Sequence, residues 1–184
     1  MRVIAGSAKG HHLKVPKGTP TRPATDMFRG VVFQILESLA NDWGIVLDLF
    51  SGSGAMGIEA LSRGAGSVDF VDRDPRCCAV IKENLESTKL VDGGHVYCTE
   101  VSRAISFLDK QYDIVVVDPP YPDRSIGNVI EKLAQSKLVG EQTVVAVTHS
   151  SRFALESEYA SLRLVKERCH GDSCVNFYRK EGDR

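Results

Sequence analysis

The chain has no run of apolar residues near the ~20 needed to span a bilayer, and its opening residues show no basic, apolar and cleavage-site succession of a secretory leader. A soluble protein that stays in the cytoplasm is the expectation. There is no C-x-x-C pair, and the five cysteines Cys77, Cys78, Cys98, Cys169 and Cys174 show no zinc spacing, so no metal site is expected. Cys77 and Cys78 fall in a helical stretch and Cys98 in a strand-like one, where small apolar residues are common. Cys169 and Cys174 flank a turn and can face each other, but a reducing cytosol favours free thiols. Internal repeats and low-complexity segments are absent as well. The 184 residues suffice for one α/β domain with a single substantial core and a small appendage. Such a compact domain needs no partner, and a monomer is expected.

Net charge is also nearly absent, at −1, which alone argues poorly for a nucleic-acid enzyme. Its distribution argues otherwise. Residues 1–30 hold Arg2, Lys9, Lys14, Lys17, Arg22 and Arg29 against Asp26 alone, a local balance of +5, and the remaining 154 residues sum to −6. A basic arm on an acidic body suits backbone contacts to a polyanion, and Arg2, Lys9, Lys14, Arg22 and Arg29 are the candidate residues for them. An ordinary solvated terminal hairpin is the plain alternative.

What is present is concentrated in two segments. The apolar run Ile114-Val115-Val116-Val117 reads as a buried parallel strand, and Asp118-Pro119-Pro120-Tyr121 follows it directly. Two successive prolines cannot continue a ladder, so the chain must leave the sheet in a stiff, extended form. One carboxylate, the Pro119 carbonyl and one aromatic face are thereby held in a rigid cluster that suits a planar amino group. Two acceptors take the two N–H hydrogens while a ring stacks on the base.

Upstream, Val46 to Phe50 reads as a strand and Ala55 to Leu61 opens a helix. Between them Gly52, Gly54 and Gly57 form a G-x-G-x-x-G turn. Asp72 ends the next strand-like run, twenty residues after Gly52, at the spacing where an acid binds the ribose hydroxyls of an adenosine-containing cofactor. The fingerprint serves NAD and S-adenosylmethionine alike. Asp48, four residues before Gly52, separates them. A carboxylate there repels a pyrophosphate and attracts an ammonium and a sulfonium. Methyl transfer is the better reading.

Along the rest of the chain, Val3-Ile4-Ala5 and His12-Leu13-Lys14-Val15 read as two short strands of an opening hairpin, which sets a basic arm (residues 1–26) apart from a body (27–184). Thr25 or Asp26 caps a helix whose apolar stripe is Phe28, Val31, Val32, Ile35, Leu36 and Leu39. Strands at 45–50, 67–72, 95–99, 112–117 and 142–148 then alternate with helices at 55–63, 75–89, 101–109 and 125–136. Alternation of this kind implies right-handed crossovers and a parallel sheet covered on both faces. Leu162–Arg168 and Cys174–Tyr178 close the chain as an antiparallel hairpin around His170-Gly171-Asp172-Ser173.

These segments together resemble the RsmD family of class I methyltransferases, nearly end to end. Met1-Arg2-Val3-Ile4-Ala5-Gly6 matches the family's opening, Arg22-Pro23-Ala24-Thr25-Asp26 its R-P-T-x-D, and Asp48 to Gly57 with Glu59 to Ala65 its D-L-F-A-G-S-G-x-x-G-x-E-A-L-S-R-G-A. Asp118 to Tyr121 stands as its catalytic D-P-P-Y, Tyr112-Asp113 as its F-D, and Gly171-Asp172-Ser173 as its G-D-T. The resemblance implies a Rossmann-like, mostly parallel seven-stranded sheet with helices on both faces and a small N-terminal β-hairpin. It also implies methyl transfer from S-adenosylmethionine, leaving S-adenosylhomocysteine, to the exocyclic N2 of one guanine in 16S rRNA, within a small-subunit assembly particle. Asp118, Pro119, Pro120 and Tyr121 are then catalytic, and Asp48, Phe50, Ser51, Gly52, Gly54, Asp72, Glu100 and Asp118 bind the cofactor.

The chain departs from the family at several places. Met27-Phe28-Arg29-Gly30 replaces the usual R-V-R/K-E, Ser7, His11 and His12 stand where Arg or Lys is frequent, Asp72 replaces a Glu, and Glu100 an Asp. Two other readings keep the same motifs: an adenine-N6 methyltransferase acting on DNA or RNA, and a ribosome-assembly factor that binds S-adenosylmethionine with little turnover.

Overall fold

The computed structural model describes residues 1–18, 25–121 and 123–182. Within them thirteen helices and strands follow one another: α1 (Asp26–Leu39), β1 (Ile45–Leu49), α2 (Ala55–Ser62), β2 (Ser67–Asp72), α3 (Pro75–Thr88), β3 (Gly94–Cys98), α4 (Val101–Phe107), β4 (Tyr112–Val117), α5 (Ile126–Ala134), β5 (Val139–Ser150), β6 (Glu158–Tyr159), β7 (Leu162–His170) and β8 (Ser173–Lys180). The strands form one sheet in the order β3-β2-β1-β4-β5-β8-β7-β6. Pairing is parallel from β3 through β5 and antiparallel from there to β6. The sheet therefore has eight strands where seven were expected. The addition is the two-residue β6, too short to leave an alternating pattern in the sequence.

The apolar run of β4 shows why the sheet is covered twice. Ile114 and Val116 pack with Phe28 and Val32 of α1, Ile58 of α2 and Ile81 of α3. Val115 and Val117 point the other way, onto Ala104 and Ile105 of α4 and Ile130 and Leu133 of α5. A period of two thus divides one strand between two cores, and each layer needs its own helices. β1 lies between β2 and β4, so the crossovers leave it in opposite directions and a crevice opens beyond its C-terminal end.

Thr25 caps α1, its Oγ1 accepting from the Phe28 amide at 3.2 Å. The buried face of α1 takes in Arg29 and Phe33 besides the expected stripe, while Val31 and Leu39 are only partly covered. The opening hairpin is looser than two strands: one bridge joins Arg2 to His12. It is nevertheless fastened to the body. Val3, Ala8 and Leu13 are buried in the same core as α1. The Ile4 and Ala5 amides donate to the Glu59 carboxylate at 2.9 and 3.0 Å, and the Lys14 amide donates to Asn84 Oδ1 at 2.8 Å. Gly6 is required at the bend. Its φ is +84°, and a Cβ would stand 1.8 Å from the Ser62 carbonyl oxygen.

Cys169 and Cys174 form a disulfide. Free thiols were expected from the compartment, but the two residues are direct cross-strand partners at the tip of the β7–β8 hairpin, which brings their side chains together on one face. Among the described residues no helix is long and apolar enough to cross a membrane.

Candidate active site

The crevice at the ends of the parallel strands holds a cavity of about 650 Å³, within the range of small-molecule sites, roughly 300–1,000 Å³. Its walls include Phe50 and Gly52 from the turn after β1, Asp72 ending β2, Glu100 before α4, and Asp118 and Pro120 after β4. Residues spread over seventy positions of sequence meet here because parallel strands deliver all their C-terminal turns to one edge.

The turn after β1 is built around carboxylates. Asp72 Oδ2 accepts from the Gly52 amide at 2.8 Å and its Oδ1 from the Asp74 amide at 2.9 Å, which pins the glycine turn to the end of β2. Phe50, on the same turn, has a left-handed φ of +60°. A β-carbon in that region costs roughly 1–2 kcal/mol, held here because the flanking strand and turn fix the backbone. Gly57 lets α2 sit down on β2, since a Cβ would stand 2.3 Å from the Phe70 ring.

Three residues expected at the cofactor stand behind the cavity wall. Ser51 is buried, donating to the Asp48 carbonyl at 2.6 Å and accepting from the Val71 amide at 3.0 Å, and so ties β1 to β2. Gly54 caps α2 with φ +80°. Asp48 is 1% exposed; its Oδ2 accepts from the Gly57 amide at 3.0 Å, and its Oδ1 has no partner among the described residues. Burial raises the Asp48 carboxyl well above the usual range, the Gly57 amide opposes this, and the neighbouring Asp118 and Asp72 add to it.

Asp118 receives a hydrogen bond on Oδ1 from the Thr148 hydroxyl, and its own amide donates to the Leu49 carbonyl at 3.3 Å. Burial raises its carboxyl, while the Thr148 hydroxyl and the charge of Arg29 pull the other way. Pro119 is buried behind it and Pro120 faces the cavity. Tyr121, next in the chain, is 41% exposed, with its phenol raised by partial burial and by Asp118. Thr148 was not singled out by sequence. A threonine near the end of an apolar strand reads as an ordinary strand former. Cys77 was missed too: its thiol lines the cavity and is pushed up to about 12 by burial and by Asp72.

The expected RNA-binding set divides. Arg2 lies 3.8 Å from Asp26 and Lys14 2.7 Å from Glu83, both with exposed side chains. Lys9 is exposed and Arg22 lies outside the described residues. Arg29 must be removed from the set. It is 1% exposed, with Nη2 bonded to the Arg2 carbonyl and 3.1 Å from Asp26, and Nε 3.9 Å from the fully buried Glu59. A guanidinium so enclosed reaches no phosphate; it fastens the arm to α1 and α2. A further group of possible metal donors, His149, Glu167 and Cys174, lies within 4.8 Å, but the sulfur is in the disulfide and both imidazole nitrogens have hydrogen-bond partners.

A family model described as conserved hypothetical protein 95 matches residues 1–179, arm and body together. The chain belongs to the RsmD family. A putative rRNA methyltransferase of Bacillus subtilis is 34% identical over 99% of this chain and all of its own length. Ribosomal RNA small subunit methyltransferase D of Escherichia coli is 30% identical over 98% of this chain and 90% of its own. Among solved structures, a putative methyltransferase of Escherichia coli superposes with a TM-score of 0.86 at 27% identity, covering all of this chain and 99% of that one. A conserved hypothetical protein of Streptococcus pyogenes gives 0.77 at 36% identity over 83% of this chain and 95% of its own. The fold is that of a class I, Rossmann-like methyltransferase. The family model spans the opening residues as well as the rest of the sheet, which the Glu59 carboxylate fastens together.

Proposed function

We propose that the protein transfers a methyl group from S-adenosylmethionine to the exocyclic N2 of a guanine in 16S rRNA. The observation that carries this is Asp118: a carboxylate fixed by Thr148 at the end of β4, opening on the same cavity as Asp72 and Glu100. The rRNA methyltransferase names of the Bacillus and Escherichia relatives support the substrate class.

The residues fit the cofactor. Asp48 Oδ1 is a buried oxygen with no donor among the described residues, beside two further carboxylates, and such a group calls for a positive charge. Asp72 would take the ribose hydroxyls, Glu100 the adenine amino group and Gly52 the methionine end, with the Asp48 carboxyl acting on that end through its charge from behind the turn. The bound cofactor supplies a methyl group on a sulfonium, already a charged leaving group, so no metal is required.

The chain's own residues then do three things. Asp118, with Oδ1 engaged by Thr148, turns its second oxygen to one N–H of the amine, and the Pro119 carbonyl takes the other. Both contacts favour a pyramidal nitrogen whose lone pair is freed from the ring. Tyr121 stacks on a base withdrawn from its own stack. Alignment does much of the rest, since effective molarities of oriented groups reach roughly 10⁵–10⁸ M. Once alkylated, the nitrogen is acidic and releases its proton to Asp118, which burial makes a better acceptor than a surface carboxylate. An rRNA substrate places the protein in the cytoplasm, acting on a small-subunit assembly particle.

The test is transfer of a labelled methyl group to small-subunit particles, deproteinised rRNA and DNA, followed by nucleoside analysis. N2-methylguanine from rRNA is expected, lost in Asp118→Ala with cofactor affinity kept within a few-fold. Methyladenine overturns the choice of base. Cofactor binding without transfer to any substrate leaves an assembly factor.

A further inference from the structure

The catalytic loop has a neighbour that the mechanism does not use. Phe153, in the turn after β5, is 43% exposed, and the Arg124 guanidinium, three residues past Tyr121, lies 5.6 Å from its ring centroid. Neither Arg124 nor Arg152, which precedes Phe153 in the chain, forms an ion pair with a described residue. The turn is not loose. The buried His149 ring places Nδ1 3.0 Å from both the Ser150 and Phe153 carbonyls, so that its N–H donates to the two ends of the turn. Ser151 donates to the Asp172 carbonyl at 2.9 Å, so the Gly171-Asp172-Ser173 segment of the β7–β8 hairpin braces the turn from the next strand. Thr148, which fixes Asp118, is five residues before Phe153 on the same strand and turn. The exposed ring and the two cations are thus held on the same edge of the sheet as the reacting groups.

We infer that Phe153 with Arg124 is a stacking platform for a single-stranded RNA base next to the target, with Arg124 and Arg152 on the flanking phosphates. This rests on the proposed RNA substrate. An exposed aromatic ring with one guanidinium over it and a second arginine next to it in the chain, neither in an ion pair with a described residue, matches the chemistry of an unstacked base on its backbone, since every base offers a π-face and every linkage an anion. A base withdrawn from its stack for methylation also leaves its neighbour without a stacking partner, and a ring on the same edge as Tyr121 replaces it.

The experiment measures affinity for deproteinised 16S rRNA and for small-subunit particles at several salt concentrations, in the parent, Phe153→Ala, Phe153→Tyr and Arg124→Ala, with cofactor affinity and melting temperature alongside. Loss of one base–aromatic stack predicts binding weakened about 5- to 150-fold in Phe153→Ala on both substrates, with an unchanged salt slope. Phe153→Tyr should bind as the parent does. Arg124→Ala should lower the salt slope by about 0.7. Cofactor affinity and melting temperature should hold in all three. Parental affinity of Phe153→Ala on both substrates overturns the platform, and a loss confined to the particle assigns the surface to a protein partner instead. A parent that methylates neither substrate overturns the function itself, and the platform with it.

Discussion

Glu59 is where removal of one side chain should be felt through the whole molecule. Its carboxylate is 0% exposed and accepts from the Ile4 and Ala5 amides and from Arg63 Nε at 2.9 Å, with Arg29 Nε 3.9 Å away. Glu59→Ala strands two arm amides, at about 0.5–1.5 kcal/mol each. It also leaves the buried Arg29, whose Nε and Nη1 already lack hydrogen-bond partners among the described residues, with Asp26 as its remaining carboxylate there. Removing one member of a buried ion pair costs about 3–5 kcal/mol, and we expect a loss in that range. At roughly 2–4 °C per kcal/mol for a chain of this size, the melting temperature should fall by about 6–20 °C. Urea and thermal unfolding of the parent and the variant measure it. Glu59→Leu combined with Arg29→Met should recover the part of the loss due to the unpaired charge, which goes with its partner, while the cost of the two stranded arm amides remains. A single variant melting within about 2 °C of the parent would refute the account of the arm as fastened by this carboxylate.

Three further outcomes follow from the site. Thr148→Val removes a hydrogen bond that holds the Asp118 carboxyl down against the effect of burial, so the acid limb of kcat/KM against pH should move upward, with melting temperature little changed. An acid whose folded pKa is raised weakens the fold as pH climbs from the ordinary carboxylate value to the raised one. Asp48→Asn should therefore make the free protein more stable at pH 7, with the two curves converging in acid, while the rise in melting temperature on adding S-adenosylmethionine shrinks. Lys9→Ala should lower the slope of log RNA affinity against log salt by about 0.7–0.9, whereas Lys14→Ala should change it less, because Lys14 is already paired with Glu83; equal effects would show that this pair opens on the RNA.

The parallel core was legible because its strands are short apolar runs between turn residues, and the boundaries of β2 and β4 fall where the sequence places them. β5 was read too short. Its first residues after Val139, Gly140-Glu141-Gln142, are not apolar, yet Tyr112 pairs with Val139 before a register shift, so the strand begins early around an irregularity. The Asp118–Tyr121 turn was legible through its prolines, whose constraint on the backbone is local. Thr148 was not, because its role depends on β5 lying beside β4, a fact of sheet order rather than of any residue near Asp118. The same holds for Asp48 and Ser51. Their positions in the motif were clear, but the motif does not say which members face the ligand and which hold the strands that carry it.

Charge shows the limit most sharply. The basic arm and acidic body were read as a sign of an external polyanion, and part of that asymmetry is neutralised within the molecule. Arg29 meets Glu59 of α2, Lys14 meets Glu83 of α3, and Arg2 meets Asp26 at the start of α1. A segment that docks on its own body through cations leaves the same record in composition as one that tracks phosphates. What distinguishes them is burial: 1% exposure for Arg29 against open side chains at Lys9, Arg124 and Arg152. Cations that already have a carboxylate gain little from a phosphate, because one ion pair must be broken to form the other. The cations free for an outside polyanion are those without internal ion pairs among the described residues, and one of them, Arg124, lies over an exposed ring at the C-terminal edge of the parallel strands. If RNA is recognised there, as we infer, specificity lies beside the reacting nitrogen, and the arm mainly holds α1 and α2 in register, with Lys9 as its open contact.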